Sequence, residues 1–193
     1  MRNIVLASSS PRRKDLLRQI KLPFEIIPSE IDENISELTG TPAQKAEQLA
    51  YQKARDVSNR VKKGLVLGAD TIVVIDDEIL GKPKDTEDAY EMLKKLSGKE
   101  HEVITGVCLI DLDNKIELIQ HETTIVQFIE LDDEKIRAYI KSGEAYDKAG
   151  SYAAQGVGAI FVKGIKGCYS NVVGLPLTRL SDMLEKLQES VIK

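Results

Sequence analysis

Apolar positions along the chain follow two rhythms. Short apolar runs predict buried strands at about residues 3–7, within "PFEIIPSEI", and over "LVLGADTIVVI", which turns at "DDE" into "ILGK". Helical spacing predicts a helix at about 11–20, with Leu16, Leu17 and Ile20 as its stripe. A second starts at Thr41-Pro42 and runs to about 60, with Ala43, Ala46, Ala50, Ala54 and Val57 on one face. Ala89, Met92, Leu93 and Leu96 mark a helix at about 86–97. Another is expected at about 132–142, and "LPLTRLSDMLEKLQESV" closes as an amphipathic helix. "HEVITGVCLIDLDNKIELIQHETTIVQFIEL" predicts a long hairpin turning at Asp113-Asn114. Hairpins among interspersed helices argue against a purely parallel sheet. The expected class is α/β with a mixed sheet, in one lobed domain without repeats or linkers.

Bulk composition narrows the function classes. At 193 residues and 42% hydrophobic, the chain suffices for one sizeable core or two joined lobes. A net charge of −4 argues against a broad grip on a nucleic acid polymer, yet a few cations converging in one cleft would still hold a small anion. The longest apolar run is too short and too polar at its middle to span a bilayer, and the N-terminus lacks a basic-then-apolar signal. The expectation is a soluble, cytoplasmic protein with no membrane partner. Cys108 and Cys168 lie 60 positions apart without a CxxC or a nearby histidine, which disfavours zinc and neither requires nor forbids a disulfide.

Several polar residues break the pattern. In "LASSSPRRKDLL", Ser10 suits an N-cap and Pro11 the first helical position. Those two explain a helix start, but not Ser8, Ser9, Arg12 and Arg13 together; hydroxyls and guanidiniums at a helix N-terminus also suit a phosphate. Lys53 falls on or beside the alanine stripe, so it either snorkels to water or points into a cleft. Asp70 interrupts an apolar run, where a carboxylate is costly unless matched. Backbone N–H groups at a strand end would satisfy it; otherwise it binds a metal or handles a proton. If Ile75 pairs with Glu78, antiparallel counting sets Lys82 opposite Thr71, one step from Asp70. That cation is either a simple ion-pair partner or half of a phosphate site whose other half holds Mg²⁺.

The tract 143–174 holds seven glycines with Asp147, Lys148, Ser151, Gln155 and Asn171 among them. It reads either as an irregular wall or as a surface that recognises a flat heteroaromatic ring, with Gln155 able to donate and accept. GxxxxGK[ST], GxGxxG and HExxH are all absent. His101 and His121 fall in the long hairpin without triad partners and are expected to be exposed strand residues.

These pieces, in order, resemble the Maf family of nucleoside triphosphate pyrophosphatases. The matching segments are "LASSSPRR", "DE" at 32–33, "QKAR" at 52–55, "LGADTIV", "LGKP", "LSGKEHEVITGV", "DKAGSYAAQGVGA" and "NVVGLPL", covering nearly the whole chain. The resemblance implies a mixed, twisted sheet flanked by helices, ITPase-like, with two lobes around a cleft, often dimeric. It implies cleavage between α and β phosphates, giving monophosphate and pyrophosphate, with a divalent metal: Mg²⁺, or Mn²⁺ or Co²⁺. Carried over by position, Ser8, Arg12, Arg13, Lys53 and Lys82 resemble the triphosphate-binding set, and Lys148 lies in the substrate-binding tract. Glu33 and Asp70 resemble the metal-associated acids, with Asp70 the proton acceptor and Lys53 and Lys82 beside it in catalysis. The form "AGSYAAQG" resembles the branch acting on dTTP and UTP, and Arg12, Thr71 and Gln155 match the positions linked to that choice.

That chemistry fits the residues. Cations and a metal around the phosphate oxygens stabilise the charge developing on departing pyrophosphate, and an ionised Asp70 would take the proton of the attacking water. A different class, a nucleotide-binding regulator of septum formation working through cell-division proteins, would bind triphosphates with little turnover. A phosphotransferase would release a diphosphate and need an acceptor.

Overall fold

The computed structural model describes residues 2–192. β1 (Ile4–Leu6) lies between β2 (Phe24–Ile26) and β3 (Leu65–Ile75), parallel to both, with Ile4 opposite Phe24 and Leu65. Parallel neighbours require crossovers. α1 (Pro11–Gln19) connects β1 to β2, and α2 (Pro42–Ser58) precedes β3. α2 opens with a capping box: Thr41 Oγ1 accepts from the Gln44 N–H while Gln44 Oε1 accepts from the Thr41 N–H.

β3 turns into β4 (Glu78–Leu80) through Asp76 and Asp77, at φ 50° and 61°. Two left-handed residues in succession match the twist of a tight hairpin, and they set the expected register, Ile75 opposite Glu78. The ladder is shorter than expected. It ends at Val73–Leu80, so Lys82 lies two residues beyond it instead of standing in the ladder opposite Thr71. Gly81 gives its carbonyl to the Gly150 N–H at 3.0 Å, and Pro83 has no N–H with which to resume pairing.

Then come α3 (Thr86–Leu96), β5 (Glu100–Asp111), β6 (Ile116–Phe128), α4 (Asp133–Lys141), β7 (Val162–Lys166), α5 (Tyr169–Val173) and α6 (Leu177–Lys186). The strands form one mixed sheet ordered β2-β1-β3-β5-β6-β7, with β4 on β3. β7, antiparallel to β6, emerges from the glycine tract, where the apolar pattern gave no strand. No helix among the described residues is long and apolar enough to cross a membrane.

The chain divides into two compact units: Met1–Asp70 with Thr105–Glu122 and Gly174–Lys193, and Thr71–Ile104 with Thr123–Val173. In the first, Val5, Ala7, Val66, Cys108 and Ile110 pack with Ala50, Ala54 and Val57 of α2. Glycines let that helix rest on bare backbone. A Cβ at Gly68 of β3 would lie 2.2 Å from the Ala50 carbonyl oxygen, and one at Gly106 of β5 would lie 2.2 Å from that of Ala46. Arg2 ties down the same unit, donating to Asp111 at 2.7 Å and Glu189 at 2.8 Å. Burial pushes the Asp111 carboxyl up, but bonds from Arg2 and Asn114 outweigh it and hold it below the usual range.

The second unit has its own core, with Leu80, Leu93, Leu96, Phe128, Ile136 and Phe161 among its members. His101 belongs to this interior, contrary to the expectation of exposure. It is 3% exposed, its ring edge-on to Phe128 at 4.9 Å and to Tyr152 at 5.4 Å, with Nε2 2.8 Å from the Tyr152 hydroxyl. β5 is buried along most of both faces, so a polar residue within it is no sign of a solvent face. Burial lowers the His101 imidazole to about 4. His121, in the first unit, is half-buried, with Nδ1 2.8 Å from Glu47 Oε1.

Candidate active site

The turn between β1 and α1 is built around Ser8, which is buried immediately after the strand. Pro11 takes the first helical position as expected, but Ser10 does not cap with its side chain. Its N–H instead donates to Ser8 Oγ at 3.2 Å. Arg13, on the first turn of α1, folds inward. Its Nη1 donates to Ser8 Oγ at 3.2 Å and its Nε to the Gly174 carbonyl at 2.8 Å. Burial pulls the Arg13 guanidinium below its ordinary value; Asp70 opposes that, Arg12 adds to it, and Glu33 opposes it. The loop's guanidiniums and the two carboxylates therefore share one electrostatic neighbourhood.

α2 and β3 supply its centre. Gly68 and Asp70, two residues apart, point to the same face of β3. Ala50 and Ala54 seat the helix on Gly68, and Lys53 lies between them in sequence. Its Nζ stands 2.5 Å from Asp70 Oδ1 and 2.8 Å from Glu33 Oε1. Both Lys53 and Asp70 are only 6% exposed, so the lysine does not snorkel. The cation 2.5 Å from the Asp70 carboxylate is thus Lys53, from the helix. Glu33 comes from the exposed loop ahead of a 3₁₀ turn at Ile35–Glu37.

Taking Lys53 and Asp70 out of water is expensive, and hydrophobic replacements of a buried ion pair are often more stable; Glu33 reaches the pair from the exposed side. Such a cluster, within the field of Arg13, is the candidate functional centre of the chain. Two hard carboxylate oxygens converging on one cationic point also fit Mg²⁺, which is commonly held by one or two carboxylates together with substrate phosphates. Among the described residues no group of three or more His, Cys, Asp or Glu is arranged to cage a metal, so phosphate oxygens would complete such a shell.

The remaining expected residues lie in the second unit. Thr71, next to Asp70 in sequence, is half-buried, and Lys82 is exposed. Lys148 is half-buried, its Nζ donating to the Glu144 carbonyl at 2.5 Å and to the Asp147 carboxylate. Gln155 is exposed and caps no N–H groups, although it occupies the position before the 3₁₀ segment Gly156–Phe161.

The family described as "Maf-like protein" matches residues 3–187. This chain belongs to the Maf family. Maf-family pyrophosphatase activity is generally divalent-metal dependent. A protein named dTTP/UTP pyrophosphatase from Ruminiclostridium cellulolyticum is 86% identical over 193 residues, all of both chains. One of the same name from Pelotomaculum thermopropionicum is 50% identical over 192 residues, again 100% of each. A solved dITP/XTP pyrophosphatase from Mycobacterium abscessus covers 96% of this chain and 97% of its own, at 14% identity and a TM-score of 0.45, too distant to bring any residue's role across.

Three features of this Maf chain's site escaped the sequence reading. Ser8 is an acceptor for Arg13, Gly174 supplies a carbonyl anchor for that arginine, and Gly68 sets the height of α2. Only the last had a readable signal, an Ala-x₃-Ala-x₃-Ala stripe that fits a glycine-bearing strand.

Proposed function

We propose that this chain hydrolyses dTTP and UTP to the nucleoside monophosphate and pyrophosphate. Membership of the Maf family and full-length relatives of that name at 86% and 50% identity support the substrate class. The observation that carries the reading is the meeting of the buried Lys53 Nζ with the buried Asp70 Oδ1 and with Glu33 Oε1 from the exposed loop, within the field of Arg13.

Phosphoryl transfer to water is a task of positioning and of charge stabilisation. Ser8 and Arg12 form the phosphate end, offering a hydroxyl and a guanidinium to anionic oxygens, with Arg13 held behind Ser8. Lys53 orients Asp70 through Oδ1, and Oδ2 takes the proton of the water that attacks the α phosphorus. Glu33 and Asp70 would hold the divalent ion, Mg²⁺ first and Mn²⁺ or Co²⁺ as substitutes. When bound, the ion neutralises charge on the phosphate oxygens. For the second unit's residues the support is the family pattern alone: Gln155 and Thr71 to the base, Lys82 and Lys148 to the phosphates. An enzyme for free nucleotides belongs in the cytoplasm.

The test is a panel of triphosphates with Mg²⁺ or Mn²⁺ and full product identification. Pyrophosphate from UTP and dTTP, with little from GTP, is expected. Asp70→Asn should keep its circular dichroism spectrum and lose roughly 10²-fold or more in turnover, the scale of acid–base loss. Tight binding without turnover, release of a diphosphate, or a fully active Asp70→Asn enzyme would overturn the proposal.

A further inference from the structure

Ser8 is 7% exposed, and two donors aim at its oxygen: Arg13 Nη1 and the Ser10 N–H, each at 3.2 Å. A serine hydroxyl has two lone pairs and one hydrogen. With both lone pairs engaged, the remaining tetrahedral direction belongs to the hydrogen, and among the described residues it meets no acceptor. A buried donor left unused is costly. The arrangement is nonetheless held firmly, because Arg13 Nε is fixed by the Gly174 carbonyl at 2.8 Å while Nη1 reaches Ser8. The guanidinium fork thereby spans two fixed points, a geometry that a lysine cannot reproduce.

We propose that Arg13 is a positioning residue that makes Ser8 an obligate hydrogen-bond donor to an oxygen of the substrate's phosphate chain. The proposal rests on the reading of this chain as a triphosphate pyrophosphatase. A freely rotating hydroxyl presents a lone pair to the phosphate part of the time, and that contact is repulsive. Arg13 and the Ser10 N–H remove that orientation before substrate arrives, so the donor needs no reorganisation. Arg13 then works through Ser8, which separates it from a direct phosphate ligand.

A double-mutant cycle decides between the two. Ser8→Ala should lower kcat/KM for UTP by about 10- to 100-fold, the scale of a hydrogen bond to a charged group. Arg13→Gln should cost a similar factor in the parent, and less than about 3-fold when added to Ser8→Ala. The full factor appearing again on the Ser8→Ala background would show that Arg13 acts on substrate directly and would overturn the proposal. Arg13→Lys runs the same cycle if the glutamine variant does not fold. A loss that follows the melting temperature equally in both backgrounds is a merely structural role and also overturns it. If the parent turns over no triphosphate, the functional reading has failed. The cycle is then read in calorimetric affinity for inorganic tripolyphosphate. The same non-additivity is expected there, and either additive losses or no binding by the parent would refute the assignment.

Discussion

Replacing Gly68 with alanine should lift α2 off β3 and part Lys53 from Asp70. The added Cβ would lie 2.2 Å from the Ala50 oxygen, 2.8 Å from the Ala54 nitrogen and 2.9 Å from the Ala54 Cβ. Two of those atoms are helix backbone, so no rotamer change relieves the clash. Ordinary contact needs about 3.5 Å, and the helix must retreat by about 1 Å. Overpacking costs about 1–3 kcal/mol, and the upper end applies because main chain must move. At about 2–4 °C per kcal/mol for a chain of this size, the melting temperature should fall by roughly 6–12 °C. Lys53 lies within a turn of the clash, and a misplacement of about 1 Å costs on the order of 10²-fold in rate. Gly106→Ala is the control: its Cβ would lie 2.2 Å from the Ala46 oxygen, about two turns before Lys53. It should melt early by a similar amount and lose less activity. Calorimetric melts and pyrophosphate release measure both. A Gly68→Ala enzyme with parental melting and turnover would refute the reasoning.

Three further outcomes follow from other parts of the molecule. Folded His101 titrates near 4 against 6.5 for the ordinary side chain, so the unfolded chain takes up the proton first as pH falls. Stability present above pH 6.5 is therefore lost between 6.5 and 4, by about 3 kcal/mol, and His101→Phe should flatten that slope in pH-dependent denaturation. Arg2→Ala leaves the fully buried Asp111 without its guanidinium and should cost about 3 kcal/mol in urea unfolding, with kcat unchanged. Gln155→Glu should lower kcat/KM for UTP and dTTP about 10-fold or more relative to other triphosphates, as befits a lost base hydrogen bond; an unchanged substrate profile rejects the base-reading role.

Much of the framework was legible because local rules and the fold agreed. Thr41-Pro42 started α2, the Asp-Asp turn set Ile75 against Glu78, and Lys53 and Asp70 stood out as polar intrusions, although their pairing with each other did not. What periodicity could not show was contact between segments distant in sequence. The β3–β4 register is the expected one, but its ladder stops before Lys82, where Gly81 turns its carbonyl to Gly150, 69 residues on. His101 read as exposed because alternation reports burial only where a strand has one wet face. β7 was hidden among glycines, since its pairing depends on β6 more than on its own apolar residues. Ser8 and Arg13 were singled out as phosphate ligands, but their mutual bond and the Gly174 anchor appear only when β1, α1 and the segment before α6 are brought together.

The most direct examination of the central idea is hydrolysis of UTP in ¹⁸O-labelled water, with both products weighed by mass spectrometry. Attack at the α phosphorus by water deprotonated at Asp70 places a single heavy oxygen in UMP and leaves pyrophosphate unlabelled. Label in pyrophosphate, or UDP appearing with labelled phosphate, would contradict it.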